Sequence, residues 1–266
     1  MERHQGVVSM TIDRPERRNA LDAATFGVLR DELRAVAARP EDRVVVVTGA
    51  GDAFCAGGDL RSGPPPRREG DTVAAPDPHP ATASPAERTL ALMRGPIGEA
   101  ALALHQLPQP TIAAVNGVAA GAGANLAFGC DLVLAAASAR FGQLFIRRGL
   151  SLDFGGTWLL PRLVGVQQAK RLALLGDWVD ATAAAALGLV TEVWPDAELA
   201  ARAAELAARL AAQPPLAMAL IKANLNQSFG LSMAEALELE ATSQAACTLT
   251  EEYAAAREAF RRSAPS

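Results

Sequence analysis

Two glycine-rich turns, each directly after a short apolar run typical of a strand, constrain the fold of this chain most. The first extends from Thr48 to Leu60 and the second from Asn116 to Asn125. Their small side chains allow a ligand to approach the backbone closely. If a helix begins near Ala122, its unpaired N–H groups and the positive end of its dipole face outward from the second turn. Such a place suits developing negative charge, although either turn alone is also compatible with simple chain reversal.

Strands and helices alternate around these turns. Val7 to Ile12 can pair with Val44 to Thr48, and Ala23 to Ala38 has the apolar spacing of an amphipathic helix. A second cycle comprises a helix from Arg88 to Leu107, a strand from Thr111 to Val115, the glycine-rich turn with a short helix, and a strand from Leu132 to Ala135. This alternation predicts an α/β core.

The rest of the chain divides into a proline-rich insertion and a helical end. Residues 62–86 are rich in proline and lack periodicity, so we expect an exposed, mobile insertion rather than a specific lid. Strand signals disappear after Asp196. Helices are predicted from Ala200 to Ala212, Pro215 to Gln227, Ser232 to Cys247 and Thr250 to Arg262. We therefore predict an α/β core over residues 1–195, interrupted by the insertion, and a helical region over residues 196–266.

Composition excludes several classes of protein. The chain has 25 basic and 29 acidic residues and a formal charge of −4. It therefore lacks the excess of positive charge that general nucleic-acid binding requires. Three widely separated cysteines form neither a disulfide framework nor a zinc pattern, and the three histidines are too scattered to share a metal. No apolar run is long enough for a membrane span, and the first residues do not form a secretion signal. We expect a cytoplasmic protein.

Familiar catalytic motifs fail on spacing. Gly121 and Gly123 begin a dinucleotide-binding pattern, but Leu126 occupies the position of its third glycine. The sequence contains neither the Gly-Lys-Ser/Thr ending of a phosphate loop nor the Gly-x-Ser-x-Gly of a serine hydrolase. A nucleotide-dependent transferase and a serine hydrolase are both disfavoured.

The order of several motifs resembles the enoyl-CoA hydratase/isomerase family, also called the crotonase superfamily. The motifs that carry the resemblance are IDRPERRNAL from residue 12, AFCAGGDL from residue 53, AAVNGVAAGAG from residue 113, GGT from residue 155 and LPRLVG from residue 160. Their joint order is far more specific than either glycine-rich turn, and it extends through nearly the whole chain. Only the proline-rich insertion lacks a counterpart.

The resemblance implies a fold, a ligand and an assembly. The implied fold is a crotonase-like α/β spiral of ββα units, followed by a C-terminal helical region that mediates trimerisation, commonly as a trimer or a dimer of trimers. The implied ligand is an acyl-CoA thioester. In this family two backbone N–H groups bind the thioester oxygen, and the matching positions are Gly58 and Ala122. Such donors stabilise an enolate oxygen more than a neutral carbonyl, by roughly 3 to 4 kcal/mol per essential donor.

The same resemblance implies a set of residues that contact coenzyme A. It places Arg17, Arg18 and Ala20 near the nucleotide, with Ala56, Asp59 and Leu60 along the adjoining passage. Arginines bind phosphate strongly, but a surface arginine is often only solvated, so both interpretations of the two arginines stay open.

The acidic residues favour isomerisation over hydration. A hydratase of this family uses two glutamates, whereas the matching positions here are Asn125 and Phe145, which cannot transfer a proton in that way. Asn125 could instead orient a polar substrate atom or simply satisfy the helix. Asp153 lies between Leu152 and Phe154, just before the paired glycines. Burial by these apolar neighbours would raise the pKa of its carboxyl group to a value useful for proton exchange. A capping aspartate is the alternative.

This combination is similar to the PaaG-like isomerase branch, which acts on ring-opened or unsaturated phenylacetyl-CoA derivatives. We therefore predict an acyl-CoA isomerase in which Asp153 moves the proton while Gly58 and Ala122 hold the enolate. No metal or redox cofactor is expected, since coenzyme A enters as part of the substrate. A weak or broad enoyl-CoA hydratase (a lyase) of fatty-acid β-oxidation and a non-catalytic acyl-CoA-binding protein remain as alternatives. A dehalogenase is disfavoured because its partner His and Trp are not recognisable.

Overall fold

The structure is a computed structural model that describes residues 1–59 and 84–263. Its strands are β1 (Glu2–His4), β2 (Val7–Ile12), β3 (Val44–Gly49), β4 (Ala53–Cys55), β5 (Thr111–Val115), β6 (Val118–Ala120), β7 (Leu132–Ala136), β8 (Arg140–Gly142), β9 (Trp178–Asp180) and β10 (Glu192–Trp194). Its α-helices are α1 (Ala23–Ala37), α2 (Pro85–Leu92), α3 (Gly98–Gln106), α4 (Ala122–Phe128), α5 (Gly156–Leu175), α6 (Ala181–Ala186), α7 (Leu199–Ala211), α8 (Pro215–Gln227), α9 (Met233–Cys247) and α10 (Glu251–Ser263).

The strands form two sheets. The larger sheet has the order β1-β2-β3-β5-β7-β10, and the smaller sheet has the order β4-β6-β8-β9. Neighbouring strands are parallel except at β1, which is antiparallel to β2, and at β9, which is antiparallel to β8. The predicted pairing of the first two long strands is confirmed, with Val7 opposite Val44 and Ile12 opposite Gly49.

Successive strands alternate between the sheets and so build a spiral. β3 lies in the large sheet and β4 in the small one, and the pairs β5–β6 and β7–β8 repeat this arrangement. α4 follows the second pair and α5 follows the third. The predicted spiral of ββα units is thus confirmed. Because β4, β6 and β8 are parallel neighbours, their carboxyl ends lie at one edge of the small sheet.

α4 lies at the centre of the core. All seven of its residues, from Ala122 to Phe128, are buried, and the helix packs against strands of both sheets. Alanine and glycine dominate its sequence, so the helix axis can approach the strands closely. α7 packs on the large sheet, and its buried residues are Leu199, Ala203 and Ala207.

One predicted helix is divided. The sequence predicts a helix from Arg88 to Leu107, but α2 and α3 are separated by the wide turn Met93–Ile97. Gly95 leaves the helical conformation there, with φ −85° and ψ −112°, and Pro96 has no N–H to continue the hydrogen bonds. The apolar spacing continues through this bend, which is why the pattern alone predicts a single helix.

The C-terminal helices begin and end within a residue or two of their predicted bounds. Pro215 begins α8, and Ser232 caps α9 through a reciprocal pair with Glu235. In the described part of the chain every strand precedes residue 195. Most of the predicted insertion lies outside the described residues, and its last three positions lead into α2. None of the described helices combines the length and apolar character that a membrane crossing requires.

Candidate active site

The two glycine-rich turns meet at one edge of the small sheet. Ala53 pairs with Val118 and Cys55 with Ala119, so both turns leave the sheet side by side. Gly57 has φ +94°, and a methyl group there would lie 2.7 Å from the carbonyl oxygen of Ala120. This close approach places the first turn directly against the backbone that enters α4.

Gly58 presents a backbone N–H that the fold does not use. Leu21 and Gly58 lie opposite each other in an isolated parallel β-bridge, but Leu21 bonds to the residues on either side of Gly58. The Leu21 N–H donates to the Gly57 carbonyl at 2.8 Å, and the Asp59 N–H donates to the Leu21 carbonyl at 2.8 Å. Within residues 1–59 and 84–263 no acceptor meets the Gly58 N–H. Gly58 itself is exposed.

Ala122 provides a second N–H that meets no acceptor in the described part of the chain. It is the first residue of α4, so its N–H has no carbonyl one turn earlier in the helix. The predicted helix start is therefore confirmed, and Gly121 reaches it through φ +52° and ψ −124°. A methyl group at Gly57 would lie 3.6 Å from the Ala122 nitrogen, which shows how close the two turns are. Two donors of this kind at one place match the requirement for holding a developing oxyanion.

Cys55 and Phe145 pack around these donors. A methyl group at Gly123 would overlap the Cys55 carbonyl oxygen and lie 2.7 Å from its Sγ atom. Cys55 is fully buried, and burial raises the pKa of its thiol to about 12, so it packs rather than reacts. A methyl group at Gly121 would lie 3.4 Å from the Phe145 ring, so Phe145 forms an apolar wall beside the second turn.

Asp153 combines burial with a free acceptor. Burial raises the pKa of its carboxyl from the ordinary 3.8 to about 6, and its Oδ1 atom is buried without a hydrogen-bond partner in the described structure. The next residue, Phe154, has φ +45° and packs its buried ring 5.8 Å from that of Phe26. The pKa of the Cys55 thiol, raised first by burial, is raised further by the Asp153 charge. The Asp153 carbonyl oxygen accepts a hydrogen bond from the Asn125 side chain, so Asp153 lies next to α4.

The side chain of Asn125 is hydrogen-bonded within the protein, and its contact with substrate stays a prediction. Its side chain is fully buried, and its Nδ2 donates to the Asp153 carbonyl oxygen at 2.9 Å. Its Oδ1 accepts from Nε2 of Gln143, also at 2.9 Å. Both ends of the amide are therefore bonded within the protein, and the nitrogen holds the main chain at Asp153. Gln143, which the sequence analysis did not single out, belongs to the same group of buried amides.

The predicted coenzyme A residues form an ion-pair network in part. Arg17 lies 2.8 Å from the Asp59 carboxylate, and Arg14 lies 3.2 Å from the same oxygen. Arg14 also pairs with Asp22 at 3.0 Å and donates to the Ala20 carbonyl. The side chains of Arg17 and Asp59 are 11% and 7% exposed, so the pair is shielded from solvent.

The structure describes three of the four remaining predicted residues. Arg18 is exposed with φ +49°, Ala20 is buried and Ala56 is half-buried. Leu60 lies outside the described residues. Sequence reasoning missed Arg14 because its partner Asp59 is 45 positions away, and no local spacing announces such a pair.

Side chains suited to metal binding do not gather at this site. In the described ranges no three His, Cys, Asp or Glu side chains come together as a metal centre requires. What the site offers is a pair of main-chain donors, an apolar wall and one carboxyl group whose pKa is near neutrality.

A family model described as enoyl-CoA hydratase/isomerase matches residues 2–73 and 82–264. The gap in the match falls within the proline-rich insertion. The model thus spans both glycine-rich turns, the segment around Asp153 and all of the described C-terminal helices.

Individual relatives agree with the family model. The chain is 41% identical to 1,2-epoxyphenylacetyl-CoA isomerase from Escherichia coli (strain K12), over 89% of this chain and 84% of that protein. It is 38% identical to a protein named "Probable enoyl-CoA hydratase" from Rhodobacter capsulatus, over 98% and 93%. The solved enoyl-CoA hydratase from Bacillus anthracis superposes with a TM-score of 0.85 at 31% identity, over 97% and 93%.

Proposed function

The chain belongs to the enoyl-CoA hydratase/isomerase family, and we propose that it isomerises an unsaturated acyl-CoA through a thioester enolate. The observation that carries this proposal is the carboxyl group of Asp153, whose pKa burial raises to about 6, in a segment bonded to the helix that presents the Ala122 N–H. A general base works best when its pKa lies near the operating pH.

The proposed mechanism uses one acid in both directions. With a 3-enoyl thioester, the Asp153 carboxylate removes a proton from C2, and the electron pair delocalises onto the thioester oxygen. The N–H groups of Gly58 and Ala122 hold that oxygen as its charge grows. The protonated Asp153 then returns the proton to C4, which leaves the double bond between C2 and C3. The reaction adds no water, and no metal or redox cofactor enters its balance.

Hydration is the second candidate, because several relatives carry hydratase names. Against it stand two positions where the family's glutamates are replaced. Asn125 is buried and bonded to the Asp153 carbonyl, and Phe145 is an apolar side chain that is 8% exposed. Neither can activate water as a base. The E. coli relative that is 41% identical is named an isomerase, which favours isomerisation in phenylacetate or fatty-acid catabolism.

Deuterium exchange tests the role of Asp153. The native protein in D2O should exchange the C2 hydrogens of a 3-enoyl-CoA, and Asp153→Asn should exchange at least about 100-fold more slowly, since an amide cannot act as the base. Asp177→Asn is the matched control, because the Asp177 side chain is 63% exposed and pairs only at the surface. Unchanged exchange in a folded Asp153→Asn protein would remove this residue from the mechanism.

Two further measurements separate the alternatives. Crotonyl-CoA should be hydrated far more slowly than a 3-enoyl-CoA is isomerised, and a dominant hydration rate would reverse our assignment. A protein that only binds acyl-CoA would retain calorimetric affinity for a saturated thioester while showing neither exchange nor hydration.

We also propose that the chain assembles as a trimer or a dimer of trimers. The C-terminal helices expose a series of large apolar side chains: Ile221 (60% exposed), Leu225 (66%), Phe229 (71%), Met233 (77%) and Leu237 (55%). Exposed apolar surface of this extent is typical of a contact between protein chains. The cytoplasmic location stays a prediction.

A further inference from the structure

We propose that Asn125 and Gln143 are positioning residues: their two side-chain amides form a buried relay that fixes the main chain at Asp153 relative to the N–H of Ala122. The inference rests on the proposed function, in which Asp153 moves the proton. It assigns a task to two residues that do not touch the reacting atoms.

Hydrogen bonds run in one direction along the relay. Nε2 of Gln143 donates to Oδ1 of Asn125 at 2.9 Å, and Nδ2 of Asn125 donates to the Asp153 carbonyl oxygen at 2.9 Å. A backbone carbonyl can only accept, so it dictates that Asn125 turns its nitrogen toward Asp153. The Asn125 oxygen must then face Gln143, which in turn must present its nitrogen. The orientation of both amides therefore follows from the chemistry of one carbonyl group.

The same residues also hold the oxyanion turn. The Asn125 N–H donates to the Gly121 carbonyl at 3.0 Å, in the first turn of α4, one residue before the Ala122 donor. Gly142, the neighbour of Gln143, accepts from the Gly121 N–H at 2.8 Å. Asn125 thus connects the backbone that carries the donor to the backbone that carries the acid. One residue therefore joins the two segments, through its main-chain N–H on the side of the donor and through its side-chain amide on the side of the acid.

The acid-bearing segment needs such support. Phe154 and Gly155 have φ +45° and +79°, two successive left-handed residues, and a bulky Phe adopts this conformation only when its surroundings impose it. The Asp153 carbonyl accepts a second bond, from the Gly156 N–H at 2.9 Å. A methyl group at Gly156 would overlap the Asn125 amide, so the turn closes directly onto the relay.

Burial makes the relay sensitive to substitution. Asn125 is fully buried and Gln143 is 3% exposed, so a lost partner leaves a buried polar group unpaired unless the turn opens to water. The pKa of the Cys55 thiol is about 12, raised first by burial and further by the Asp153 charge, so Cys55 stays protonated where Asp153 titrates. A change at Asn125 that alters the burial of Asp153 should therefore be detected through the titration of Asp153 itself.

Two substitutions at Asn125 should move this titration in opposite directions. Asn125→Leu removes the donor, loosens the turn and admits water, so the midpoint of the acid limb should fall from about pH 6 toward the ordinary value of an aspartate. Asn125→Asp keeps the shape but brings a second carboxyl group near Asp153, so the midpoint should rise. Both should lower kcat by about 100-fold and leave KM within about threefold, as expected when positioning is lost.

The experiment measures the pH profile of C2 deuterium exchange and, independently, the 13C titration of the Asp153 carboxyl group in ligand-free protein. Asn116→Asp is the matched control. Nδ2 of Asn116 donates to the carbonyls of Gly49 and Gly51, and Asn116 does not contact the segment that carries Asp153. The midpoint of the Asp153 titration should stay at the native value in the Asn116→Asp protein. Gln143→Met is a milder variant, since Oε1 of Gln143 has no partner in the described structure, and it should lower the midpoint less than Asn125→Leu does.

The outcomes separate the relay from the proposed function. Opposite shifts of the two Asn125 variants support the relay, and midpoints that stay native in both overturn it. Where these variants do not fold, Gln143→Met decides: a lowered Asp153 midpoint supports the relay and an unchanged one overturns it. A native protein without exchange, whose Asp153 titration still moves in the variants, would refute the proposed isomerase and leave the relay standing.

Discussion

At Ala122 the group proposed to bind the thioester oxygen is a backbone N–H, which among the standard residues only proline lacks. Proline is tolerated at the first position of a helix, where the N–H makes no intrahelical bond. Ala122→Pro should therefore leave α4 in place, remove the donor and put a ring carbon where the oxygen would bind. We expect exchange to fall by at least about 100-fold. The rate of C2 deuterium exchange in the variant measures this loss, and circular dichroism shows whether the variant is folded.

Ala23→Pro provides the comparison for this variant. Ala23 is also the first residue of a helix, and it is exposed and distant in sequence from the two turns. The same chemical change there should leave both exchange and unfolding nearly unchanged. Equal losses of activity in the two variants would mean that the Ala122 N–H has no special role.

Asp153 should make the folded protein less stable as the pH rises. Its pKa is about 6 in the folded state against the ordinary 3.8, so between these values the folded state retains a proton that the unfolded state has released. Asp153→Asn removes this penalty. The variant should be more stable than the native protein by about 1 to 3 kcal/mol at pH 8, allowing for partial exposure, and about equally stable at pH 3. Urea unfolding at both pH values tests the sign, and a gain that is the same at both would contradict it.

At the scale of elements, the contact between α4 and the turn after β4 should tolerate no added atom. Gly123→Ala would drive a methyl group into the Cys55 backbone and push the two turns apart. We expect a loss of about 1 to 3 kcal/mol in the free energy of unfolding, accompanied by loss of exchange.

Gly27→Ala is the control for this substitution within a helix. A methyl group there meets nothing within 4 Å, and Gly27 lies inside α1. It should stabilise the protein by about 0.5 to 1 kcal/mol, because alanine favours a helix over glycine. Chemical denaturation of both variants is decisive, and a Gly123→Ala protein as stable as Gly27→Ala would refute the close contact.

The elements that the sequence predicts well are those long enough to show a period. The strand Val7–Ile12 and the helix Pro215–Gln227 occur at their predicted bounds. The small sheet was not predicted, because its strands have three residues each and so few residues display no alternation. The two glycine-rich turns can be recognised as motifs, but the contacts of Arg14 and Gln143 depend on partners brought together only by folding.

At the scale of the whole molecule, the exposed apolar side chains of α8 should control assembly. The native protein should have the mass of three or six copies. Ile221→Glu combined with Leu225→Glu should lower that mass, since charges at a buried contact are costly. Light scattering after gel filtration measures it. Val28→Glu is the control, because Val28 is similarly exposed, at 59%, but lies on α1. A native mass of one copy would contradict the proposed assembly.

The spiral distributes the site over successive turns of the chain. The first pair of strands leads to Gly58, the second to Ala122 and Asn125, and the third to Gln143 and Asp153. In the proposed mechanism the first two pairs supply the donors for the thioester oxygen, and the third pair leads to the acid. Substitutions confined to the segment after the third pair should therefore change the reaction and leave the binding of acyl-CoA intact.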